Sequence, residues 1–221
     1  MHIINLPKIL KPFYCDDIIR LGRNYDGGYL TNKNDVIESS RLIGYGIGFD
    51  VDISFELDFL SYNNCIADVY DDNVEEFAVP DKNIIIHKQT IRKGSLTEMI
   101  GGDTDIFLKC DIEGGEYDIL DEIITHSDSF SGIVIEFHDI DDYSKFNNLT
   151  NFIAKIKQKL IHVHINNCSY LVKSNNGYIP KVVELSFTSA KNISYREYMQ
   201  MPHPLDMPST PERAEFTLTF D

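Results

Sequence analysis

The sequence predicts an α/β fold in which a mostly parallel sheet is covered by helices on both faces. After the first forty residues, short apolar segments alternate with segments of helical periodicity, which is typical of parallel strands joined by helical crossovers. The apolar run at 107–110 ends in several acids and is followed by a helical pattern with Ile119, Ile123 and Ile124 on one face. The 221 residues suffice for one domain with a sizeable core.

The individual elements are predicted from apolar runs, interpreted as strands, and from apolar positions at helical spacing, interpreted as helices. Strands are predicted at 41–45, 65–70, 83–87, 105–110, 132–137, 161–165, 182–187 and 214–220, and helices at 53–62, 95–100, 116–125 and 144–159. Ser95 and Glu98 have the spacing of a capping box. Because no convincing helix separates the last two strands, we expect them to form an antiparallel edge.

The two ends of the chain are expected to lie outside this alternation. Residues 1–40 show weak periodicity and are interpreted as an N-terminal extension, so that 41–221 form the main domain. Four prolines, Pro202, Pro204, Pro208 and Pro211, lie within 201–213. Proline marks turns and loops, so we expect a rigid loop there.

Three acids follow the fourth predicted strand, where the sequence reads Asp-x-Glu-Gly-x-Glu. Asp111, Glu113 and Glu116 would be held close together at a strand-to-helix corner, and like charges at short distance raise each other's pKa. The carboxyl ends of strands are where open α/β sheets bind ligands. We therefore interpret this corner as the floor of an active site. The alternative is helix capping by Asp111 with the two glutamates near the positive helix end.

Glycines after the first predicted strand indicate a cofactor site. Gly44, Gly46 and Gly48 alternate along the segment, and glycine allows a tight turn and the close approach of a ligand. The spacing is neither G-x-G-x-x-G nor a Walker motif, which disfavours a dinucleotide or a triphosphate. An adenosyl cofactor without a pyrophosphate, S-adenosylmethionine, fits better. A simple turn remains the alternative.

Acids at the end of the second predicted strand strengthen the cofactor interpretation. Asp71 is the preferred acceptor for both ribose hydroxyls of an adenosine, with Asp72 and Asp68 in reserve. The distance along the chain from Gly46 to Asp71 is close to the roughly 20 residues expected between glycine turn and acid.

Taken together, these segments resemble the FkbM family of S-adenosylmethionine-dependent methyltransferases. The matching pieces are RNYDGGY at 23–29, GYGIG at 44–48, DISFE at 52–56, LKCDIEGGE at 108–116, IEFH at 135–138, HVHINN at 162–167, ELSF at 184–187 and PLDMP at 204–208. The resemblance implies a Rossmann-like class I methyltransferase fold with a seven-stranded sheet, and methyl transfer to oxygen on a sugar or polyketide-type molecule. It also implies a substrate-side cap in residues 1–40, carrying Asp26 and Tyr29.

Candidate roles follow from the requirements of methyl transfer, in which the acceptor oxygen is held in line with the methyl group and loses its proton. Asp111 is expected to face the substrate, and His138, at the end of the fifth strand, to act as general base. The alternative for His138 is a hydrogen-bonded strand-end residue. His164 and Asn166 are candidates for binding substrate hydroxyls, as is Glu113 beside Asp111.

Glu56, in the first predicted helix, is a candidate for contact with the amino acid end of the cofactor. A solvated helix acid is the alternative interpretation.

A divalent metal is a further hypothesis. Asp111, Glu113, Glu136 and His138 offer oxygen and nitrogen ligands at two strand ends. Mg²⁺ or Mn²⁺ held there could bind a sugar diol and lower the pKa of a hydroxyl. A protease-type zinc site is not indicated, because the histidines lack H-E-x-x-H spacing.

Charge and composition exclude some classes of partner. The net charge is −15, from 35 acids and 20 bases, which argues against a nucleic-acid backbone or an anionic membrane as the main partner. No run of 18 apolar residues and no secretory signal is evident, and the four scattered cysteines suggest reduced thiols, so we expect a cytoplasmic protein.

The predicted function is O-methylation of a sugar hydroxyl, on a nucleotide-linked sugar or a surface-polysaccharide unit. The rivals are methylation of another small molecule, a non-catalytic Rossmann-like binding module and, disfavoured by the glycine spacing, an NAD-dependent dehydrogenase. Assembly into a homo-oligomer is left open.

Overall fold

The computed structural model describes residues 3–47, 51–75, 77–174 and 177–221, and gives only the backbone at 174 and 177. The strands are β1 (Ile3–Leu6), β2 (Phe13–Cys15), β3 (Ile18–Leu21), β4 (Tyr29–Asn32), β5 (Arg41–Tyr45), β6 (Ile66–Tyr70), β7 (Ile84–His87), β8 (Ile106–Cys110), β9 (Phe130–Phe137), β10 (Lys159–Ile165), β11 (Leu171–Ser174), β12 (Gly177–Pro180), β13 (Val183–Thr188), β14 (Ile193–Tyr198) and β15 (Thr217–Phe220). The helices are α1 (Lys33–Glu38), α2 (Ser54–Tyr62), α3 (Ser95–Ile100), α4 (Leu120–Thr125) and α5 (Tyr143–Lys155), and 3₁₀ turns span Lys8–Leu10, Gly115–Asp118, Ser127–Ser129 and Ala190–Asn192.

Seven strands form the central sheet in the order β10-β13-β9-β8-β5-β6-β7. The strands from β9 to β7 pair in parallel, whereas β13 runs antiparallel to both β9 and β10. Counted from β5, the parallel strands stand in the order 3-2-1-4-5, which is that of a doubly wound fold. The predicted Rossmann-like α/β fold with a mostly parallel seven-stranded sheet is confirmed.

The antiparallel part of the sheet differs from the expected edge formed by the last two strands. The reversed strand is β13, which lies one position in from the edge because β10 pairs along its outer side. The C-terminal strand β15 does not join this sheet and pairs in parallel with β1. An amphipathic strand is compatible with either arrangement, so the pairing depends on partners that are remote in the sequence.

Two predicted helices have different limits in the structure. The helix predicted at 144–159 ends at Lys155, and Lys159 already begins β10. The helix predicted at 116–125 is a 3₁₀ turn followed by the short α4. The carboxylate of Glu116 accepts hydrogen bonds from the backbone N–H groups of Gly114 and His138. These bonds hold the first turn against the end of β9, so a regular helix begins only after it.

The predicted capping box at Ser95 is not formed. The N-cap of α3 is Gly94, in the left-handed region, and it makes no side-chain cap. The hydroxyl of Ser95 instead accepts from the backbone N–H of Arg92.

The sheet separates two hydrophobic clusters, as expected when successive side chains of a strand point to opposite faces. Ile43 and Leu108 lie in one cluster, while their neighbours Leu42 and Phe107 lie in the other. The second cluster also contains Tyr29 and other residues that precede β5. The N-terminal segment is therefore held against the sheet near the ends of its parallel strands.

Within the described residues, no helix is long and apolar enough to cross a membrane.

Candidate functional site

A cavity of about 630 Å³ lies at the carboxyl ends of the parallel strands, on both sides of β5. This is where the strand order reverses and where doubly wound sheets bind their ligands. The end nearer β6 and β7 includes Gly46, Ile47, Asp71, Asp72, Gln89 and Thr90 in its lining. The end nearer β8 and β9 includes Arg23, Asp26, Asp111, Glu136, His138 and Asn166. We name these the β6 end and the β9 end of the cavity.

The glycine turn after β5 brings its backbone against the end of β8. Gly46 has a φ of +85°, in the left-handed region, and a Cβ at this position would lie 1.7 Å from the carbonyl oxygen of Asp111. Only glycine fits such a close approach. The N–H of Gly46 donates to the carbonyl of Tyr70 at 3.0 Å, so the turn joins the ends of β5, β6 and β8 at the floor of the cavity.

The other two predicted glycines differ in position. Gly44 lies within β5, where an added Cβ would meet Glu56 at 3.3 Å and Val69 at 3.6 Å, and it is not part of the cavity lining. Gly48 lies outside the residues that the structure describes.

Asp71 stands directly after β6 and organises the β6 end. One carboxylate oxygen accepts from the backbone N–H of Ile47 at 3.0 Å, and the other accepts from that of Asn73 at 2.7 Å. Each carboxylate oxygen can accept a second hydrogen bond. The side chain is therefore fixed beside the glycine turn with acceptor capacity left for a ligand.

The two reserve acids are engaged by side chains. Asp72 lines the same end of the cavity and accepts from the hydroxyl of Thr90 at 2.8 Å. Asp68 lies inside β6, where it is ion-paired with Arg41 at 2.9 Å and lies 2.8 Å from His87. Asp68 does not line the cavity.

Glu56 is buried beneath the glycine turn rather than in the cavity wall. Its carboxylate lies 3.2 Å from the ammonium of Lys109, and these two side chains are 1% and 6% exposed. The ammonium also donates to the carbonyl of Gly46 at 3.1 Å. Burial lowers the pKa of Lys109, but Glu56 and Asp111 outweigh it, so the pKa is raised. Burial rules out the solvated alternative for Glu56, which supports the turn through Lys109. Its contact with a cofactor stays a prediction.

Lys109 was not among the predicted site residues. The signal was present in the sequence, since Lys109 is a cation within an otherwise apolar run at 106–110. A buried charge is expected to be paired.

The segment 22–28 carries Asp26 into the β9 end of the cavity and is held by two arginines. The guanidinium of Arg20 donates to the carbonyls of Arg23 and Tyr25 at 2.6 and 2.8 Å. Arg23 lies 3.2 Å from the carboxylate of Asp52, and its Nε donates to the carbonyl of Asp26 at 2.8 Å. The predicted substrate-side role of this segment stays a prediction.

A connected polar network forms the wall of the β9 end. The amide of Asn166 donates to Asp26 and to Glu136, both at 3.1 Å. The hydroxyl of Tyr29 lies 3.1 Å from the other oxygen of Glu136 and 3.1 Å from Asp111. Tyr29 and Asn166 therefore contact Glu136 directly. Asp111 is connected to Glu136 through Tyr29, and Asp26 through Asn166.

Burial and mutual repulsion raise the pKa values of this network. The pKa of Glu136 is raised well above its ordinary value by burial and by the charges of Asp111, Glu184 and Asp26. Burial also raises the pKa of Asp26. The Tyr29 hydroxyl has a single hydrogen, so it can donate to only one of its two carboxylate neighbours at a time.

His138 follows β9 and is nearly buried, with its side chain 10% exposed. Its Nε2 lies 3.5 Å from Glu113, 3.8 Å from Glu136 and 3.9 Å from Asp111. Its Nδ1 lies 3.5 Å from Glu116, a long charge contact rather than a hydrogen bond. Burial lowers the pKa of His138, but the carboxylates of Glu116, Asp111 and Glu113 outweigh it and the pKa is raised.

The three acids of the Asp-x-Glu-Gly-x-Glu segment divide into two kinds. Asp111 and Glu113 line the cavity, and the side chain of Glu113 is 88% exposed. Glu116 is fully buried and binds backbone N–H groups. Glu116 therefore has the structural role of binding backbone N–H groups near a helix start. Asp111 and Glu113 lie at the cavity, as the active-site hypothesis expects.

His164 lies elsewhere, between β10 and the loop that precedes β15. Its ring nitrogens lie 3.1 Å from Glu184 and 3.0 Å from Glu215, and the side chain is 7% exposed. Burial lowers the pKa of His164, but these two glutamates outweigh it and raise the pKa well above its ordinary value. Both nitrogens are occupied and the residue is not in the cavity lining, so the structure does not bring His164 to the substrate side.

The predicted metal ligands lie close together. Asp111, Glu113 and His138 each offer one donor atom, and these atoms all lie within 4.8 Å of one another. Both oxygens of Glu136 are in hydrogen-bond contact with Asn166 or Tyr29.

No family model matches the chain. No curated protein matches it either. Solved structures that it resembles include a chain of the fibrillarin/Nop5p complex, with 10% identity over 69% of this chain and 73% of that chain and a TM-score of 0.42. Precorrin-6y C5,15-methyltransferase from Geobacter metallireducens has 10% identity over 70% and 86%, with a TM-score of 0.40. The Methanococcus jannaschii fibrillarin pre-rRNA processing protein has 14% identity over 79% and 83%, with a TM-score of 0.42. We base the fold on the strand order of the central sheet.

Proposed function

We propose that this protein is an S-adenosylmethionine-dependent O-methyltransferase of the FkbM type that acts on a sugar hydroxyl. The observation that carries the proposal is a single cavity of about 630 Å³ that joins the glycine turn and Asp71 to the polar network around Glu136. The β6 end suits an adenosyl cofactor, and the β9 end suits a hydroxylated acceptor. Both reactants would then lie within one enclosure.

The β6 end provides two of the features that an adenosyl group requires. Asp71 offers acceptor capacity for ribose hydroxyls at the end of the second parallel strand. Gly46 removes the side chain at the point where the backbone turns towards the cavity. The absence of a G-x-G-x-x-G segment disfavours a pyrophosphate-bearing dinucleotide at the same place.

The β9 end favours a polyol over an apolar acceptor. Its wall includes the carboxyl groups of Asp26, Asp111 and Glu136 and the amide of Asn166. Each carboxylate oxygen can accept more than one hydrogen bond, so such groups can recognise hydroxyls, whereas an apolar acceptor would offer them no donor. A sugar, on a nucleotide or in a surface polysaccharide, therefore fits this wall better than a lipid.

The reaction is an in-line displacement at the methyl carbon of the sulfonium. The acceptor oxygen forms a bond to the methyl carbon while the carbon–sulfur bond breaks, and the electron pair of that bond stays on sulfur. The acceptor hydroxyl loses its proton in the same process. His138, with Asp111 beside it, is the candidate for assisting the loss of this proton, either as the base or as the ligand of a cation that acidifies the hydroxyl.

Calorimetric titration with S-adenosylhomocysteine tests the cofactor, with NAD as the parallel ligand. Micromolar binding of S-adenosylhomocysteine alone supports the proposal. Failure to bind it, with and without Mn²⁺, would refute the methyltransferase assignment. Methyl transfer to a panel of sugar acceptors, followed by mass spectrometry, then separates an enzyme from a binding module that lacks turnover.

A further inference from the structure

We infer that Asp111, Glu113 and His138 form a divalent-cation site at the β9 end of the cavity, with donors that suit Mn²⁺. The site stands on its own geometry. Only its role in catalysis rests on the proposed function. The inference removes Glu136 from the four ligands expected from the sequence, and it assigns the imidazole of His138 to a cation rather than to a proton.

The distances between donors fit one small cation. The Nε2 atom of His138 lies 3.5 Å from Glu113 and 3.9 Å from Asp111, and one donor atom from each residue lies within 4.8 Å of the others. Cations of this class lie about 2.0–2.2 Å from their donors, which places donors at right angles roughly 3 Å apart and opposite donors roughly 4.3 Å apart. The observed separations require only small side-chain movements.

The imidazole of His138 gives an independent indication of a ligand. The side chain is nine-tenths buried, and its Nδ1 makes no hydrogen bond within the part of the chain that the structure describes. A buried polar group without a partner is costly. The other nitrogen, Nε2, faces Glu113 at 3.5 Å and Asp111 at 3.9 Å across the cavity wall. Both distances are long for hydrogen bonds, and a cation between these groups would contact Nε2 directly.

The surroundings of His138 match those of a metal-binding histidine. Such residues commonly direct the second ring nitrogen at a carboxylate, which sets the tautomer and the ring orientation. The Nδ1 atom of His138 lies 3.5 Å from the buried carboxylate of Glu116. Glu116 is itself held by two backbone N–H groups.

Glu136 is left out because it does not belong to the group of donor atoms that all lie within 4.8 Å of one another. One oxygen accepts from Asn166, and the other is in contact with the hydroxyl of Tyr29. Only one oxygen of Asp111 contacts the Tyr29 hydroxyl. The other oxygen faces His138 and is the one offered to the cation. The exposed side chain of Glu113 can adjust its position without breaking a contact.

The charge of the cavity also favours a cation. Among the lining residues that the structure describes, Arg23 is the only lysine or arginine, and its guanidinium is paired with Asp52 at 3.2 Å. Apart from the imidazole of His138, the described wall therefore offers Asp111 and Glu113 no lysine or arginine partner. The cluster contains both carboxylates, which Mn²⁺ and Mg²⁺ prefer, and an imidazole, which favours Mn²⁺ over Mg²⁺.

A cation at this position has a defined chemical use. A divalent cation held by Asp111, Glu113 and His138 would lower the pKa of a hydroxyl bound to it, so that the proton could pass to solvent water as the acceptor oxygen bonds to the methyl carbon. The carbon–sulfur bond breaks towards sulfur, as in the proposed reaction. His138 acts as a ligand in this scheme and does not accept the proton.

Titration of the metal-stripped full chain with Mn²⁺, followed by the electron paramagnetic resonance signal of the free ion, tests the site. We expect one Mn²⁺ per chain, and at least tenfold weaker binding in Asp111→Asn, Glu113→Gln and His138→Gln. Asp128→Asn is the control, because Asp128 is 83% exposed and its partner among the described residues is Lys157. Its affinity should equal that of the unmodified protein.

Failure of the inference is separable from failure of the proposed function. No Mn²⁺ binding, or equal affinity in the unmodified protein and in Glu113→Gln, overturns the cation site even if S-adenosylhomocysteine binds. Glu113→Gln keeps the test valid if the buried variants do not fold, because the Glu113 side chain is 88% exposed. Mn²⁺ binding without S-adenosylhomocysteine binding would keep the cation site and refute the methyltransferase.

Discussion

Replacement of Gly46 by alanine probes the close contact between the glycine turn and the end of β8. The new Cβ would lie 1.7 Å from the carbonyl oxygen of Asp111, whereas Cβ contacts below 3.0 Å essentially never occur. The two backbone segments must therefore separate by about 1.3 Å, the difference between these distances. This movement would shift both the glycine turn and Asp111.

The energetic cost has two parts. A left-handed conformation costs an L-residue about 1–2 kcal/mol, and Gly46 has a φ of +85°. Overpacking against backbone adds about 1–3 kcal/mol. The sum is roughly 2–5 kcal/mol. If this energy destabilises the conformation that binds S-adenosylhomocysteine, the affinity for that ligand decreases about 30-fold to several thousand-fold.

Gly94→Ala is the matched control. Gly94 has a φ of +94°, yet a Cβ there would have no atom within 4 Å. In this control, alanine has the cost of the left-handed conformation but does not overlap with a neighbouring atom. Its Tm should therefore fall by only a few degrees, and its affinity for S-adenosylhomocysteine should be unchanged. Calorimetry and thermal unfolding measure both quantities. The reasoning is refuted if Gly46→Ala binds S-adenosylhomocysteine within threefold of the unmodified protein and unfolds at the same Tm as Gly94→Ala.

Three further predictions concern charged side chains. Asp71→Asn should weaken S-adenosylhomocysteine binding by about tenfold or more in calorimetry, because a charge-assisted hydrogen bond contributes about 1.5–3 kcal/mol. Lys109→Met should lower the free energy of unfolding in urea by about 3–5 kcal/mol, since Glu56 is left buried and unpaired, and adding Glu56→Leu should recover most of the loss. The loss of unfolding free energy caused by His164→Gln should be larger at pH 6 than at pH 9. The raised pKa of folded His164 means that its stabilisation is complete below the unfolded value of 6.5 and is lost as the pH rises through the folded value.

Each of these has a contrary outcome. If Asp71→Asn binds S-adenosylhomocysteine within twofold of the unmodified protein, Asp71 does not bind the ribose, and Asp72 becomes the candidate. A double variant at Lys109 and Glu56 that is as unstable as Lys109→Met alone would show that the ion pair is not the source of the loss. An effect of His164→Gln that is equal at pH 6 and pH 9 would show that the imidazole is not held in its charged form.

Much of the central sheet is predictable because buried parallel strands are continuous apolar runs. The strand predicted at 41–45 coincides with β5, and those predicted at 65–70, 83–87 and 105–110 each begin one residue before β6, β7 and β8. The failures occur where local pattern and distant partners compete. The carboxylate of Glu116 accepts a hydrogen bond from the backbone of His138. This contact interrupts the helix that the periodicity of residues 116–125 favours. β15 pairs with β1, a choice that no local pattern expresses.

The candidate site was predictable where its residues follow strands. Asp71, Asp111 and His138 each come directly after the last residue of a parallel strand, and such positions meet at one edge of a sheet. Asp26 depended on the family resemblance, because its segment reaches the cavity only through the contacts of Arg20 and Arg23.

The sequence by itself determined the fold class, the edge of the sheet that carries the cavity and most of the polar residues that meet there. These follow from hydrophobic periodicity and from the fact that parallel strands end on the same side. Only the tertiary structure decided which charged groups face the cavity and which are paired beneath it. Glu56 is paired with Lys109, and His164 with Glu184 and Glu215. The physical reason is that desolvation and pairing depend on distances between groups that are remote in the sequence, and only the folded chain sets those distances.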